Sequence, residues 1–375
     1  MRFRSTTARS LRRPIVLTLF LAVSLTAAPA LAGLTFTTTK GAGFVALEGG
    51  NPALAASIYG GFQQAQAIWS GYLSDSINVN LVLDWAPLDG GTLASTNSNE
   101  QPFPLVNTLA ALSADRYSAD DFLAVSNLPA GPALSGYVID RAGARYLNTA
   151  TATANTVLTF PTANAKALGL WDANDATSDG TVTFNSGVNF GFDHSNVAAG
   201  TYDFLGIAEH EIGHALGFTS GVDGVDFVSK NGPGVGLDLN GPLAGLGTGD
   251  DLPVFSVIDM YRHSTEANAV SSTTLELAPG GAAFFSIDGG LTNLALFSNG
   301  VYNGDGRQAS HWKNNTPAVM KPAISNGTVQ DISPLDLRAF DVIGYQLVPE
   351  PSTFVLAFVA GVGLAVTGYR RRRRA

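Results

Sequence analysis

Residues 208–218 read Ala208-Glu209-His210-Glu211-Ile212-Gly213-His214-Ala215-Leu216-Gly217-Phe218, and no other stretch constrains the chain so tightly. Residues four apart on a helix share a face, one turn apart, so a helix here points His210 and His214 the same way. The flanks agree with a helix over 202–218. Asp203 stands where a cap is wanted, and Leu205, Ala208, Ile212 and Ala215 make a packing stripe on the opposite face. The chain has five His and no Cys. A thiol nucleophile, a disulfide framework and a cysteine metal site are therefore excluded, and any metal must be held by His, Asp or Glu. Two imidazoles one turn apart suit Zn²⁺. Glu211 sits beside the ligand line rather than on it, within reach of a metal-activated water, which is the arrangement for metal-assisted hydrolysis with Glu211 as general base. The competing reading is a helix with two surface His.

Two ligands do not make a site. His194, His263, His311, Asp223 and Asp226 all remain open as the third. Asp223 is close in sequence and can fold back. His263 follows Asp259-Met260-Tyr261-Arg262, which reads as a helix turn, and His194 falls in a strand–loop connection. His311 lies in Gln308-Ala309-Ser310-His311-Trp312, with Val319-Met320-Lys321-Pro322 shortly after.

Around this segment the periodicity predicts a helix over 52–72 and an alternating strand over 77–85, followed by a turn at Asp89-Gly90-Gly91. Short helices are expected over 108–114, 118–126 and 163–170, short strands over 156–160 and 181–184, and a closing helix over 333–345. Residues 131–154 stay ambiguous, and 219–253 read as a long Gly-rich stretch. No internal repeat is found. The order implies an α+β fold with a cleft between two lobes. Asp175 to Gly180 partly fits the start of a calcium loop, but Ser186 stands where a bidentate Glu is needed, so an Asp-Gly turn is preferred. A Ca²⁺ ion elsewhere in so acidic a chain is left unplaced.

The ends read as addresses. Arg2, Arg4, Arg9, Arg12 and Arg13 precede an apolar run over 15–25 and the small-x-small Ala30-Leu31-Ala32. That is a secretory signal peptide over 1–32. At the other end stand Pro349-Glu350-Pro351, an apolar run over 353–369 and Arg370 to Arg374. Setting both ends aside removes ten of the 21 basic residues and one of the 30 acidic ones, leaving a net charge of −18 in place of −9. So acidic a surface repels phosphate backbones, and nucleic acid is excluded as a partner.

The C-terminal order of motif, span and Arg block resembles the PEP-CTERM sorting signal of Gram-negative bacteria. It implies export through the inner membrane, transient anchoring by a transmembrane helix within 349–375, cleavage by an exosortase, and release to the cell surface or exterior. The His-Glu-x-x-His helix, ending at Gly217, resembles the metzincin clan. In most metzincins a third His follows three residues later; here that position is Ser220, so a short-range third His is excluded. The Ser310-His311-Trp312 triplet, Met320 nine residues after His311 and the closing Asp336 to Tyr345 segment resemble the leishmanolysin type, although its usual cysteines are missing. The resemblance implies a metalloprotease domain over 33–348 with a zincin-like α+β fold. A twisted sheet and the active-site helix would form an upper lobe, above a loop-rich, partly helical lower lobe. It implies His210, His214 and His311 as zinc ligands, Glu211 as the catalytic base, Met320 as the floor beneath the ligands, and a peptide or protein substrate. The alternatives are an extracellular matrix or surface protein with a structural zinc site, and a non-peptide zinc hydrolase.

Overall fold

The computed structural model describes residues 33–140, 144–151, 153–231 and 254–349. The proposed signal peptide and the apolar, Arg-terminated segment beyond Pro349 lie outside the described residues. Among those described, no helix is long and apolar enough to cross a membrane.

The architecture is mixed α+β. Its main sheet has four strands. Thr35–Lys40 pairs parallel with Asn78–Ala86, which pairs parallel with Gly180–Asn185, and Ala94–Ser98 closes the sheet antiparallel as an edge. A parallel pair needs a crossover, and the Pro52–Tyr72 helix lies in the one between the first two strands. Its start is well signalled: the Asn51 side chain accepts from Leu54 N at 3.2 Å, and Pro52 fills the first turn, where no donor is needed. Ile58, Phe62, Ala65 and Trp69 recur every three to four residues and are fully buried.

This helix packs on the Phe204–Leu216 helix. At their crossing a Cβ on Gly61 would stand 2.6 Å from the Phe204 ring, so the approach needs a glycine. Trp69 Nε1 donates to Glu209 O at 3.0 Å, and the Trp69 ring meets Phe340 of the closing helix at 4.6 Å. The predicted and observed bounds of the Pro52–Tyr72 helix coincide, because its apolar stripe is unbroken. The predicted 202–218 helix is trimmed to Phe204–Leu216. Tyr202–Asp203 is extended instead and pairs with Phe190–Gly191.

Among the described residues, the stretch 254–333 has little regular structure. Two-residue strands at Arg262–His263, Phe284–Phe285 and Ala295–Leu296 form one small sheet. Thr274–Glu276 joins the Ser135–Ile139 and Arg145–Asn148 hairpin within the stretch that the sequence left ambiguous. The Gly-rich 219–253 reading is corrected at its start, where Gly221–Asn231 is a helix; residues 232–253 lie outside the described residues. Buried Val222, Val225 and Val228 recur at helical spacing there and outweigh the two glycines. The closing helix, Pro334–Val342, starts in a capping box between Ser333 and Asp336. Tyr345 Oη then donates to Leu216 O at 2.7 Å, tying the segment after the closing helix to the helix that carries the two His.

Candidate metal centre

Asp203 caps the Phe204–Leu216 helix by accepting from Gly206 N at 3.3 Å. Leu205, Ala208, Ile212 and Ala215 are buried, as their stripe predicts, which turns His210 and His214 toward an open cleft of about 1040 Å³. The helix ends at Gly217, whose φ of 124° no side chain tolerates comfortably, and a Cβ there would stand 2.9 Å from Asn164. The turn brings Phe218 O within 2.7 Å of His214 Nδ1.

His311 joins from 97 residues away. The three Nε2 atoms form a near-equilateral triangle: 3.1 Å between His210 and His214, 3.2 Å between His214 and His311, and 3.2 Å between His311 and His210. Each Nδ1 faces a backbone carbonyl, of Val319 at 2.7 Å for His210, of Phe218 at 2.7 Å for His214 and of Gln308 at 3.3 Å for His311. A carbonyl only accepts, so each imidazole carries its proton on Nδ1 and leaves a bare lone pair on Nε2. The three nitrogens therefore cannot hydrogen-bond to one another. Burial, with His210 close by, lowers the His214 pKa to about 3; burial, then His214 and His210, holds His311 well below its ordinary value. Three lone pairs converging on one point repel unless a cation sits between them. The donor set fits a metal ion, and His210, His214 and His311 are close enough to hold one. The carbonyls fix the rings for that task.

Glu211 is buried on the same helix. Thr96 Oγ1, from the sheet's edge strand, donates to its Oε2 at 2.7 Å. Burial pushes this carboxyl up, against the pull of His210 and the Thr96 hydrogen bond. Fully buried Met320 packs against the same helix at Gly213. A Cβ on Gly213 would stand 2.4 Å from its sulfur, so Gly213 opens the space that Met320 fills.

Two carboxylates whose supporting contacts sequence reasoning missed assemble this centre. Asp223, weighed as a third ligand, lies outside the triangle. It accepts from Ala309 N at 2.5 Å and Ser310 N at 3.0 Å and so holds the loop that presents His311, while Arg262 Nη1 donates to Ala309 O at 3.0 Å. Asp336 is fully buried and accepts from Trp312 Nε1, Val319 N, Met320 N, Ser333 N and Ser333 Oγ. One carboxylate thus ties the His311-Trp312 and Val319-Met320 pieces to the closing helix. Its signal was the Ser-x-x-Asp spacing of Ser333 and Asp336. Thr96 had no signal, because its partner lies 115 residues away.

The remaining candidates have other duties. Asp226 accepts from Tyr302 N and Asn303 N, His263 meets Asn268, and His194 bridges Asp203 and Asp331. In the stretch resembling a calcium loop, the Lys166 ammonium occupies the cation's place, 2.7 Å from Asp179. No protein-family model matches the chain, and no curated protein or solved structure is significantly similar to it.

Proposed function

We propose that this chain is a zinc-dependent endopeptidase with a zincin-like fold. The observation that carries the reading is the triangle of bare Nε2 atoms opening onto a cleft, with a buried carboxylate beside it. Two nitrogens on a tetrahedral zinc stand about 3.3 Å apart for bonds of ~2.0–2.1 Å, close to the separations here. A structural zinc would be closed by a fourth protein ligand. Among the described residues no further metal-binding side chain joins the three, and the cleft reaches them.

A bound zinc ion supplies Lewis acidity toward a water and toward the scissile carbonyl. With a metal held by His210, His214 and His311, Glu211 would take the proton of an attacking water and return it to the departing amine nitrogen. Thr96 fixes Oε2 of Glu211, so the carboxylate is aimed before substrate arrives. The edge strand Ala94–Ser98 favours a peptide over a small ester. It lines the cleft and has a partner on one side only, so its free backbone groups can pair with an extended chain. The export and exosortase-sorting signals at the ends support delivery of such an enzyme to the cell surface or beyond.

The test uses purified residues 33–348, loaded with zinc, and an internally quenched peptide library. Hydrolysis should vanish with a chelator, return with zinc, and be absent in zinc-loaded Glu211→Gln. A folded, zinc-loaded wild type that cleaves no peptide overturns the reading.

A further inference from the structure

The cleft is not uniform in charge. Arg307 stands beside His311, and Lys321 follows Met320. Glu100, Thr219 and Asp223 line the same cleft where the edge strand and the chain after the metal-binding helix border it. Glu100 comes two residues beyond Ser98, whose hydroxyl reaches His214 O at 3.3 Å. The backbone around it is pinned: Asn99 N donates to Asp179 O at 2.8 Å, Thr162 N donates to Asn99 O at 2.8 Å, and Glu100 itself pairs with Pro161. Its position relative to the metal centre is therefore built in.

Among the described residues, Glu100, Glu211 and Asp223 are the carboxylates that line the cleft; the last two are held by close hydrogen bonds, and Glu100 has only the Thr219 side chain beside it. Glu211 takes the Thr96 hydroxyl, and Asp223 takes two backbone N–H groups. Glu100 is reached by solvent from the cleft, and among the described residues no Lys or Arg pairs with it. Arg262, the cation behind this wall, is fully buried and already committed to the carbonyls of Ala309, Ser298 and Glu276 and to Asp259. The surrounding protein thins the hydration of the Glu100 carboxyl and raises its pKa to about 7; Asp259 adds to the rise, and the Thr219 side chain opposes it.

We infer that Glu100 is a specificity-determining residue that receives an Arg or Lys side chain of the peptide in the cleft. The inference rests on the endopeptidase reading and names its substrate class. A cation there meets a carboxylate that no Lys or Arg of the described residues neutralises, and the two charges attract across the cleft. An Arg can engage both carboxylate oxygens at once.

Two peptides that differ only by Arg against citrulline separate charge from shape. The library is scanned with this pair at each position flanking the scissile bond. At one position the Arg peptide should be cleaved with a kcat/KM about tenfold or more above its citrulline twin. That ratio should collapse toward one in Glu100→Gln and invert toward a Glu-bearing peptide in Glu100→Lys. Turnover with no Arg preference at any position, or a preference that survives Glu100→Gln, overturns the inference and leaves the protease reading intact. If no peptide is turned over, the protease reading fails. Fluorescence anisotropy of the same pair on the zinc-loaded protein then decides the inference: equal affinities overturn it.

Discussion

Each imidazole of the triangle is anchored by a backbone carbonyl, a local one for His214 and His311 and that of distant Val319 for His210, so the three nitrogens converge without a cation to gather them. Removing one vertex is therefore not repaired by the others. Zinc titration of His311→Ala should show affinity lost by several orders of magnitude, while Asp223→Ala should lose about 10–100-fold, the effect typical of a partner behind a ligand. Equal, full-affinity binding by Asp223→Ala would show that the His311 loop holds its place unaided. Glu211 touches no metal-facing nitrogen. Glu211→Ala should keep fold and zinc and reduce hydrolysis by about 10²–10⁴-fold, as for loss of a general base; wild-type turnover in the zinc-loaded variant would remove Glu211 from the reaction. At this scale the sequence was informative where chemistry is local. His210, Glu211 and His214 share a helical turn. His311 stood out through its Ser-His-Trp setting and the Met that follows. Asp223 was rightly ranked below His311 as a ligand, but its supporting contacts were missed, because they depend on two backbone N–H groups that arrive 86 and 87 residues later and spacing carries no trace of them.

The helices were the legible elements, since an apolar stripe with a cap states its own limits. The edge strand was not. Ala94–Ser98 reads Ala-Ser-Thr-Asn-Ser, which alternates poorly and favours turns. It is a strand because Gly180–Asn185 offers it a full ladder, which is tertiary information. The loop-rich region at the metal centre was equally hidden, for it is held by single buried carboxylates in place of periodic pairing. That makes Asp336 a test of how the region stands. Asp336→Ala strands five donors at once and should cost about 3 kcal/mol or more, read as a lower denaturation midpoint together with weaker zinc binding. A smaller change in both would mean that the Val319-Met320 turn is fixed by packing alone. Gly206, in the first turn of the metal-binding helix, is a sharper probe of one contact. An added Cβ would stand 2.4 Å from Gln330 O, so Gly206→Ala should destabilise by about 1–3 kcal/mol, despite the better helix propensity of alanine.

Across the whole molecule, acidity is not confined to the surface. Asp75, Asp115 and Asp341 gather where the long helix ends beside the closing helix. Burial raises their pKa values to about 7, 6 and 7, helped by neighbouring carboxylates: Asp115 and Asp341 act on Asp75, Asp121 on Asp115, and Asp121, Asp120 and Asp115 on Asp341. An acid whose folded pKa exceeds its unfolded one keeps its proton in the fold, so this cluster's contribution declines as pH rises from about 4 through about 7. Asp341→Asn imitates the protonated form and retains an acceptor for Ser118. It should raise stability by about 1–2 kcal/mol at pH 8 and by almost nothing at pH 4, measured by thermal melts at both. The last described residues are tied down at the same corner, where Val348 N donates to Tyr72 O at 2.8 Å and Leu347 bridges Leu73. Truncation after Val348 should leave melting temperature and hydrolysis unchanged and abolish sorting; a chain that no longer folds would move the boundary. Finally, His214 and His311 are separated by 97 residues, and the carboxylate that steadies the second piece comes 25 residues later still. Translation delivers the N-terminal half first, at ~5–20 residues per second. A nascent chain spends seconds holding two imidazoles of three, and a prematurely stopped one holds two for good. On the proposed reading, the hydrolytic centre exists only in finished copies, and a half-made copy is harmless to the machinery producing it.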